Sequence, residues 1–303
     1  MGIEQALAQL WEIKYERLWQ EHAEVTKREF PMWSSENHPM VMVHNTLRDY
    51  YESVKKKQAQ EREKSGQKSC PLDEERSTKD SIKYGNLLFR MNGNPTLEYH
   101  LFAQTAEHRE HPTQEDHLTI MDFVDETDYA VFLNLRGSGA GIPDHLHYQG
   151  HKRVNFPFLL KLGIGSLRYN RQFEIWSHDI INYTLELKYT AERGKEAVSE
   201  YIAKLDEIIR AEGLSYNLLF DKNRVYLFPR TMEIAENIHD GLREAGMDKW
   251  QIAGQEMGYL FTAKYKQILE KMTAKALANA LRDVTLSDPE ERQQFEKLVL
   301  GVL

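Results

Sequence analysis

His145, His147 and Gln149 fall at alternate positions in the run Asp144-His-Leu-His-Tyr-Gln-Gly150. On a β-strand successive side chains leave opposite faces, so residues at i, i+2 and i+4 form one line. Leu146 and Tyr148 then point the other way, where a core would accept them. Two imidazoles and an amide, roughly 7 Å apart at alternate positions, serve poorly on a face meant only for burial. Each buried polar group there would need a partner. The line suits chemistry on an extended anion. A neutral imidazole can attack phosphorus, a neighbouring group can fix its tautomer, and an amide can donate to a non-bridging oxygen.

The segment before this line is Arg136-Gly-Ser-Gly-Ala-Gly141. Gly137, Ser138, Gly139 and Gly141 allow the backbone to approach a ligand and aim N–H groups at it. The plainer alternative is a wide turn between strands. Arg136, Lys152 and Arg153 face a single carboxylate, Asp144, across residues 134–153, which makes a basic island in a chain of net charge −8. Lys152, His108 and Arg109 are further candidates for phosphate contact, beside the reading of Lys152 and Arg153 as a solvated face. The acidic excess excludes a non-specific nucleic-acid binder, which needs a basic surface to release counterions. Cys70 is the only cysteine, so no intrachain disulfide is possible. A reducing, cytoplasmic setting is expected. The first 22 residues are too charged for a signal peptide and no apolar run approaches 18 residues, so no membrane partner is expected.

The elements that must position these residues follow from periodicity. Ile3, Leu7, Leu10, Trp11 and Leu18 predict an amphipathic helix over residues 3–22, and a polar helix is expected from Thr46 to Glu63. Lys55–Asp80 is almost without apolar residues and predicts a mobile loop. A strand Gly85–Met91, the Asn92-Gly93 hairpin signal and a strand Leu97–Phe102 come next. Thr113 caps a helix with Leu118, Met121 and Val124 on one face, and strands Tyr129–Leu135 and Asp144–Gly150 follow. In the second half, strand Tyr183–Tyr189 precedes a helix Glu196–Ala211 that Gly213 stops. Strands Tyr216–Phe220 and Arg224–Phe228 then flank Asp221-Lys-Asn223. Ser287-Asp-Pro-Glu290 reads as a capping box for the last helix. The expected fold is α+β, an antiparallel sheet with flanking helices. The strand–helix–hairpin pattern in both halves is compatible with a duplicated unit. Residues 1–80 form a helical extension with a polar loop, and residues 81–303 the catalytic domain. The latter divides into half-units 81–160 and 161–265 plus carboxyl-terminal helices.

The run GAGIPDHLHYQGHKRVNFPF, residues 139–158, resembles the active-site segment of the histidine-triad superfamily. It is similar to the branch of nucleotidyltransferases and phosphorylases that has H-x-H-x-Q, among them GDP-hexose phosphorylases. Diadenosine polyphosphate phosphorylases and galactose-1-phosphate uridylyltransferases are similar too. The resemblance spans residues 84–158, with Asp144 where an asparagine is usual and Phe156-Pro157 as the following Phe-Pro. His44-Asn45-Thr-Leu-Arg48, Cys70-Pro-Leu-Asp73 and Phe228-Pro229-Arg230 resemble shorter elements of related proteins. It implies a histidine-triad-like fold in which His147 is the nucleophile of a nucleotidyl–imidazole intermediate. Gln149 would bind an α-phosphate oxygen and His145 would orient the strand. The implied donor is an NDP-sugar or a dinucleoside polyphosphate, and the acceptor inorganic phosphate or a sugar phosphate. Gln149 in place of a third histidine implies transfer over hydrolysis. The rivals are a hydrolase that uses the same intermediate and a nucleotide-binding regulator without turnover.

Some relatives bind structural zinc through C-x-x-C and two histidines. Here Asp73 stands at the second cysteine, so the resemblance implies that the zinc has been lost and that no cofactor is required. Cys70, Asp73, His108 or His111, and His145 are the donors that would remain.

Overall fold

A computed structural model describes residues 2–32, 35–48, 70, 72–73, 80–156, 166–169, 172–179, 182–190, 192–230, 252–263, 266–286 and 288–302. The amino terminus is one helical run, Ile3–Trp11 and Arg17–His22 joined by a π-helical stretch Glu12–Glu16. Two strands follow where the sequence predicted only helices, β1 (Val25–Met32) paired antiparallel with β2 (Ser35–Asn45). Residues 46–48 are helical, as expected for the start of the Thr46–Glu63 helix. The remainder of that helix, and most of the Lys55–Asp80 loop, lie outside the described residues.

Ten strands then build a single antiparallel sheet. In the first half they are β3 (Ile82–Tyr84), β4 (Leu87–Met91), β5 (Leu101–Thr105), β6 (Tyr129–Asn134) and β7 (His147–Lys152). In the second they are β8 (Ser166–Tyr169), β9 (Glu174–Asp179), β10 (Tyr183–Lys188), β11 (Ser215–Asp221) and β12 (Arg224–Arg230). Their order is β3-β4-β5-β7-β6-β11-β12-β10-β9-β8. Read inward from either edge, the connectivity is the same. Helix Gln114–Glu126 separates β5 from β6, and helix Glu192–Ala211 separates β10 from β11. The two units meet where β6 pairs with β11, Leu133 opposite Leu218. The fold is therefore the expected α+β arrangement, with its unit duplicated. A short β13 (Leu260–Thr262) runs parallel to β2 and ties the carboxyl-terminal third to residues 35–45.

Both faces of this sheet are covered. Val131, Leu133, Tyr148, Leu218 and Phe220 pack against the two crossover helices, the amino-terminal helix and the last helix. Ala130, Phe132, Leu219, Tyr226 and Phe228 pack against residues 252–284 and Met42 of β2. All six residues of β6 are buried, which is why its sequence is apolar from Tyr129 to Leu133 rather than alternating. Burying each such large side chain contributes about 1.5–3 kcal/mol.

Local chemistry sets the boundaries. Thr113 caps the helix as the sequence predicts, and Asp116 makes the cap reciprocal, a capping box. The last helix, Pro289–Gly301, is capped by Asp288, whose side chain accepts from the Glu290 and Glu291 N–H groups. Asn92-Gly93 does not close a hairpin. Its β4 and β5 flanks pair with Met91 opposite Leu101, and residues 92–100 form a longer loop shut by the Asn92 N–H on the His100 carbonyl, 2.7 Å. Tyr99 takes a φ of +54° to complete that loop.

Candidate active site

The motif strand begins later than its sequence predicts. β7 starts at His147, so His147, Gln149 and His151 share one face while His145 lies ahead of it. His145 is drawn aside because the Leu146 N–H donates to the Arg109 carbonyl at 2.5 Å and His145 Nε2 faces the Thr105 carbonyl at 3.4 Å. The expected line of three side chains is thus a pair, His147 and Gln149, on the face opposite Tyr148.

His147 is 4% exposed. Its Nδ1 donates to the carbonyl of His145 at 2.9 Å, which leaves the lone pair on Nε2. Its ring stacks on Phe102 with centroids 5.2 Å apart and 14° between planes. The guanidinium of Arg90 sits over the same Phe102 ring at 4.5 Å. Burial pushes the His147 imidazole below the ordinary histidine range; its bond to the His145 carbonyl opposes this, and the nearby His145 and Arg90 charges add to it. The group is therefore held as a neutral, correctly tautomeric imidazole. Gln149 is half-buried, and its Oε1 is approached by His100 Nε2 at 3.1 Å and Asn92 Nδ2 at 3.4 Å. His151 is wholly buried, with Nε2 on Gln255 Oε1 at 2.9 Å, and burial drives it down to about 4.

The predicted basic island is not built. Lys152 leaves β7 on the opposite face, pairs with Glu4 and lies over the Tyr129 ring at 4.3 Å. Arg153 pairs with Asp221. Arg136 meets Glu110 at 3.2 Å on the surface. Arg109 grips the fully buried Asp116 with one guanidinium nitrogen 2.6 Å from each oxygen. Arg90, which periodicity did not single out, is instead the cation beside His147. Cross-strand register was the signal that could have found it, since Arg90 opposes Phe102 and Phe102 opposes Gln149.

The glycine-rich loop is held from outside. Ser138 is fully buried; its Oγ accepts from the Leu135 N–H at 2.8 Å and donates to the Leu135 carbonyl at 3.1 Å. Its own carbonyl accepts from Asn217 Nδ2 at 2.8 Å, and Arg230 donates to Asn217 Oδ1 at 2.8 Å. Gly139 has φ +92°, and a Cβ there would lie 2.6 Å from the Ile252 carbonyl. This glycine serves close packing, and Ser138 is committed to the turn. Gly137 is also left-handed at φ +81°, while Gly141 borders open space.

Ahead of β7, four donors converge. Ligand atoms of Cys70, Asp73, His108 and His145 all lie within 4.8 Å of one another. Cys70 Sγ is 3.5 Å from His145 Nδ1, which is 3.3 Å from Asp73 Oδ1, and His108 Nδ1 is 2.9 Å from Asp73 Oδ2. Tetrahedral zinc with ligands at about 2.0–2.3 Å needs donors spaced in this way. His145 Nε2 facing the Thr105 carbonyl is the outer contact that turns Nδ1 toward Cys70 and Asp73. The set therefore fits a zinc ion although Asp73 replaces a cysteine, and His108, not His111, completes it.

Residues 7–152 match the family described as a domain of unknown function, DUF4922. No curated protein matches the sequence. Among solved structures, yeast Ap4A phosphorylase Apa2 superposes with a TM-score of 0.63 at 16% identity, over 93% of this chain and 96% of that one. Its complex with AMP gives 0.61 at 14% identity, over 94% and 98%. Its complex with Ap4A gives 0.60 at 15% identity, over 92% and 97%. No described helix is long and apolar enough to cross a membrane.

Proposed function

We propose that this chain, whose fold is that of the histidine-triad superfamily, is a nucleotidyltransferase or phosphorylase working through a covalent nucleotidyl–histidine. The observation that carries the proposal is the 2.9 Å bond from His147 Nδ1 to the His145 carbonyl. It leaves Nε2 unprotonated and ready to attack. Nε2 would form a bond to the α-phosphorus of a nucleotide donor as the bond to the leaving phosphate breaks. The Gln149 NH2 group would donate to a non-bridging oxygen, and Arg90 would offset the phosphate charge. Inorganic phosphate or a sugar phosphate would then take the nucleotidyl group and restore His147. The Ap4A phosphorylase fold supports a dinucleoside polyphosphate as donor; the H-x-H-x-Q resemblance admits an NDP-sugar equally.

Zinc would be held by Cys70, Asp73, His108 and His145. When bound, it supplies a structural cross-link between the segment carrying Cys70 and the backbone just before His147. Protein produced with zinc should carry about one zinc ion per chain by elemental analysis, and Cys70→Ser should lower that content. Equal, trace zinc in both would overturn the assignment.

The test of the function is turnover across Ap4A, other dinucleoside polyphosphates, NDP-sugars, ADP and ATP, each with and without phosphate. Phosphate-dependent release of a nucleoside diphosphate is expected for at least one donor. Equal turnover without phosphate would point to a hydrolase. Nucleotide binding with no covalent label would point to a regulator.

A further inference from the structure

An amide serves a phosphoryl oxygen only when its NH2 group faces the substrate, and an unassisted glutamine has two nearly equivalent orientations. We propose that His100 is a positioning residue that fixes which way the Gln149 amide points, acting from the loop between β4 and β5. The proposal rests on the transfer reading given above, in which Gln149 donates to the phosphoryl group. The backbone N–H of Thr96 donates to His100 Nδ1 at 3.1 Å. A neutral imidazole that accepts at Nδ1 carries its proton on Nε2. That Nε2–H is 3.1 Å from Gln149 Oε1 and donates to it. Asn92 adds a second donor to the same oxygen at 3.4 Å. Asn92 is itself oriented, because its Oδ1 accepts from the Asn94 N–H at 2.8 Å. Reversing Gln149 would set its NH2 against two N–H donors, so the NH2 group is turned away from the loop.

The loop is built to hold this chain of bonds. Asn45, at the end of β2, donates to the carbonyls of Pro95 at 3.2 Å and Thr96 at 3.1 Å. Arg48 donates to Thr96 Oγ1 at 2.8 Å. His100 is 3% exposed, and its ring lies 4.1 Å from that of His151, so it has no room to swing out. The order of control runs from Asn45 and Arg48 to Thr96, then to His100, and last to Gln149.

The experiment measures the labelling of His147 by α-³²P-labelled Ap4A, together with ¹⁵N-histidine correlation spectra of the unliganded protein. His100→Ala should slow labelling about 100-fold, as for loss of one oriented donor, with little change in the half-saturating donor concentration. His100→Gln, whose amide N–H reaches toward the same oxygen, should recover part of that loss. In a Gln149→Ala background, His100→Ala should have no further effect, because its influence passes through Gln149. The spectra should show His100 as the Nε2–H tautomer, a readout that needs no substrate and no variant. Unchanged labelling in His100→Ala, losses that multiply in the double variant, or a proton on His100 Nδ1 would each overturn the proposal. Those failures leave wild-type His147 labelled. Absence of label on wild type instead defeats the transfer reading, and the tautomer then decides the relay alone.

Discussion

His147→Ala should abolish nucleotidyl transfer, whereas Gln149→Ala should leave a slow enzyme. The two losses differ because the residues do different work. Attack by imidazole splits one hard displacement into two easier ones, so removing it removes the route. Removing one donor to the phosphoryl oxygen leaves the route and costs roughly 10²–10³-fold in rate. Phe102, stacked on the His147 ring, and the His145 carbonyl stay in place when the side chain is truncated. The cavity left in His147→Gly is therefore shaped for an imidazole, and added imidazole should restore part of the transfer. Wild type given a labelled donor without acceptor should hold label through an acid-sensitive, base-stable N–P bond. Near wild-type transfer by His147→Ala would show direct displacement and end the covalent mechanism.

Arg109→Ala should destabilise the fold by about 3–5 kcal/mol, the cost of stranding a buried charge. Asp116 is fully buried and takes hydrogen bonds from Arg109, Thr113 and Asn86. Burial alone would raise its pKa; the Arg109 and Thr113 donors win and hold it below the usual carboxylate range. A depressed folded pKa contributes stability that is present above the unfolded value, near 3.9. That stability is lost as pH falls through the folded value. Arg109→Ala should flatten the acid side of the stability curve as well as lowering the midpoint of thermal unfolding. If Arg109→Ala melts like wild type and loses only phosphate affinity, Arg109 is a ligand contact and the structural role is wrong.

Local signals were legible, and long-range ones were not. Thr113 announces the start of its helix, and the strand expected over Tyr129–Leu135 is found over Tyr129–Asn134. The glycine loop reads as a phosphate cradle because sequence shows glycines without neighbours. Only Ile252 packed against Gly139, and Asn217 on the Ser138 carbonyl, reveal the loop as a joint between halves. Alternation, a local pattern, places His145 in the strand, yet Cys70, which it faces, lies 75 residues away in sequence. The Asn92-Gly93 pair looked like a tight turn for the same reason. His100 and the Asn92 side chain turn toward Gln149, 49 and 57 residues on, and the loop lengthens to reach it. Lys152 neighbours the motif in sequence, but strand alternation sends it through to Glu4 on the far side. The β1–β2 pair carries no local signal of its sheet, because β13, which completes it, comes more than 200 residues later.

The join of β6 to β11 bears on what natural selection can discard. Each half-sheet, taken alone, would end at that line in a row of unsatisfied N–H and carbonyl groups, an open template for aggregation. Joined, the ten described strands leave the short β3 and β8 as rims. The second unit lacks the His-x-His-x-Gln line, and the strand in its corresponding place reads Arg224–Arg230 through Phe228-Pro229. Without that line, it still shields its partner's margin. It can therefore drift in sequence at its outward residues while β11 itself stays under the same constraint as β6.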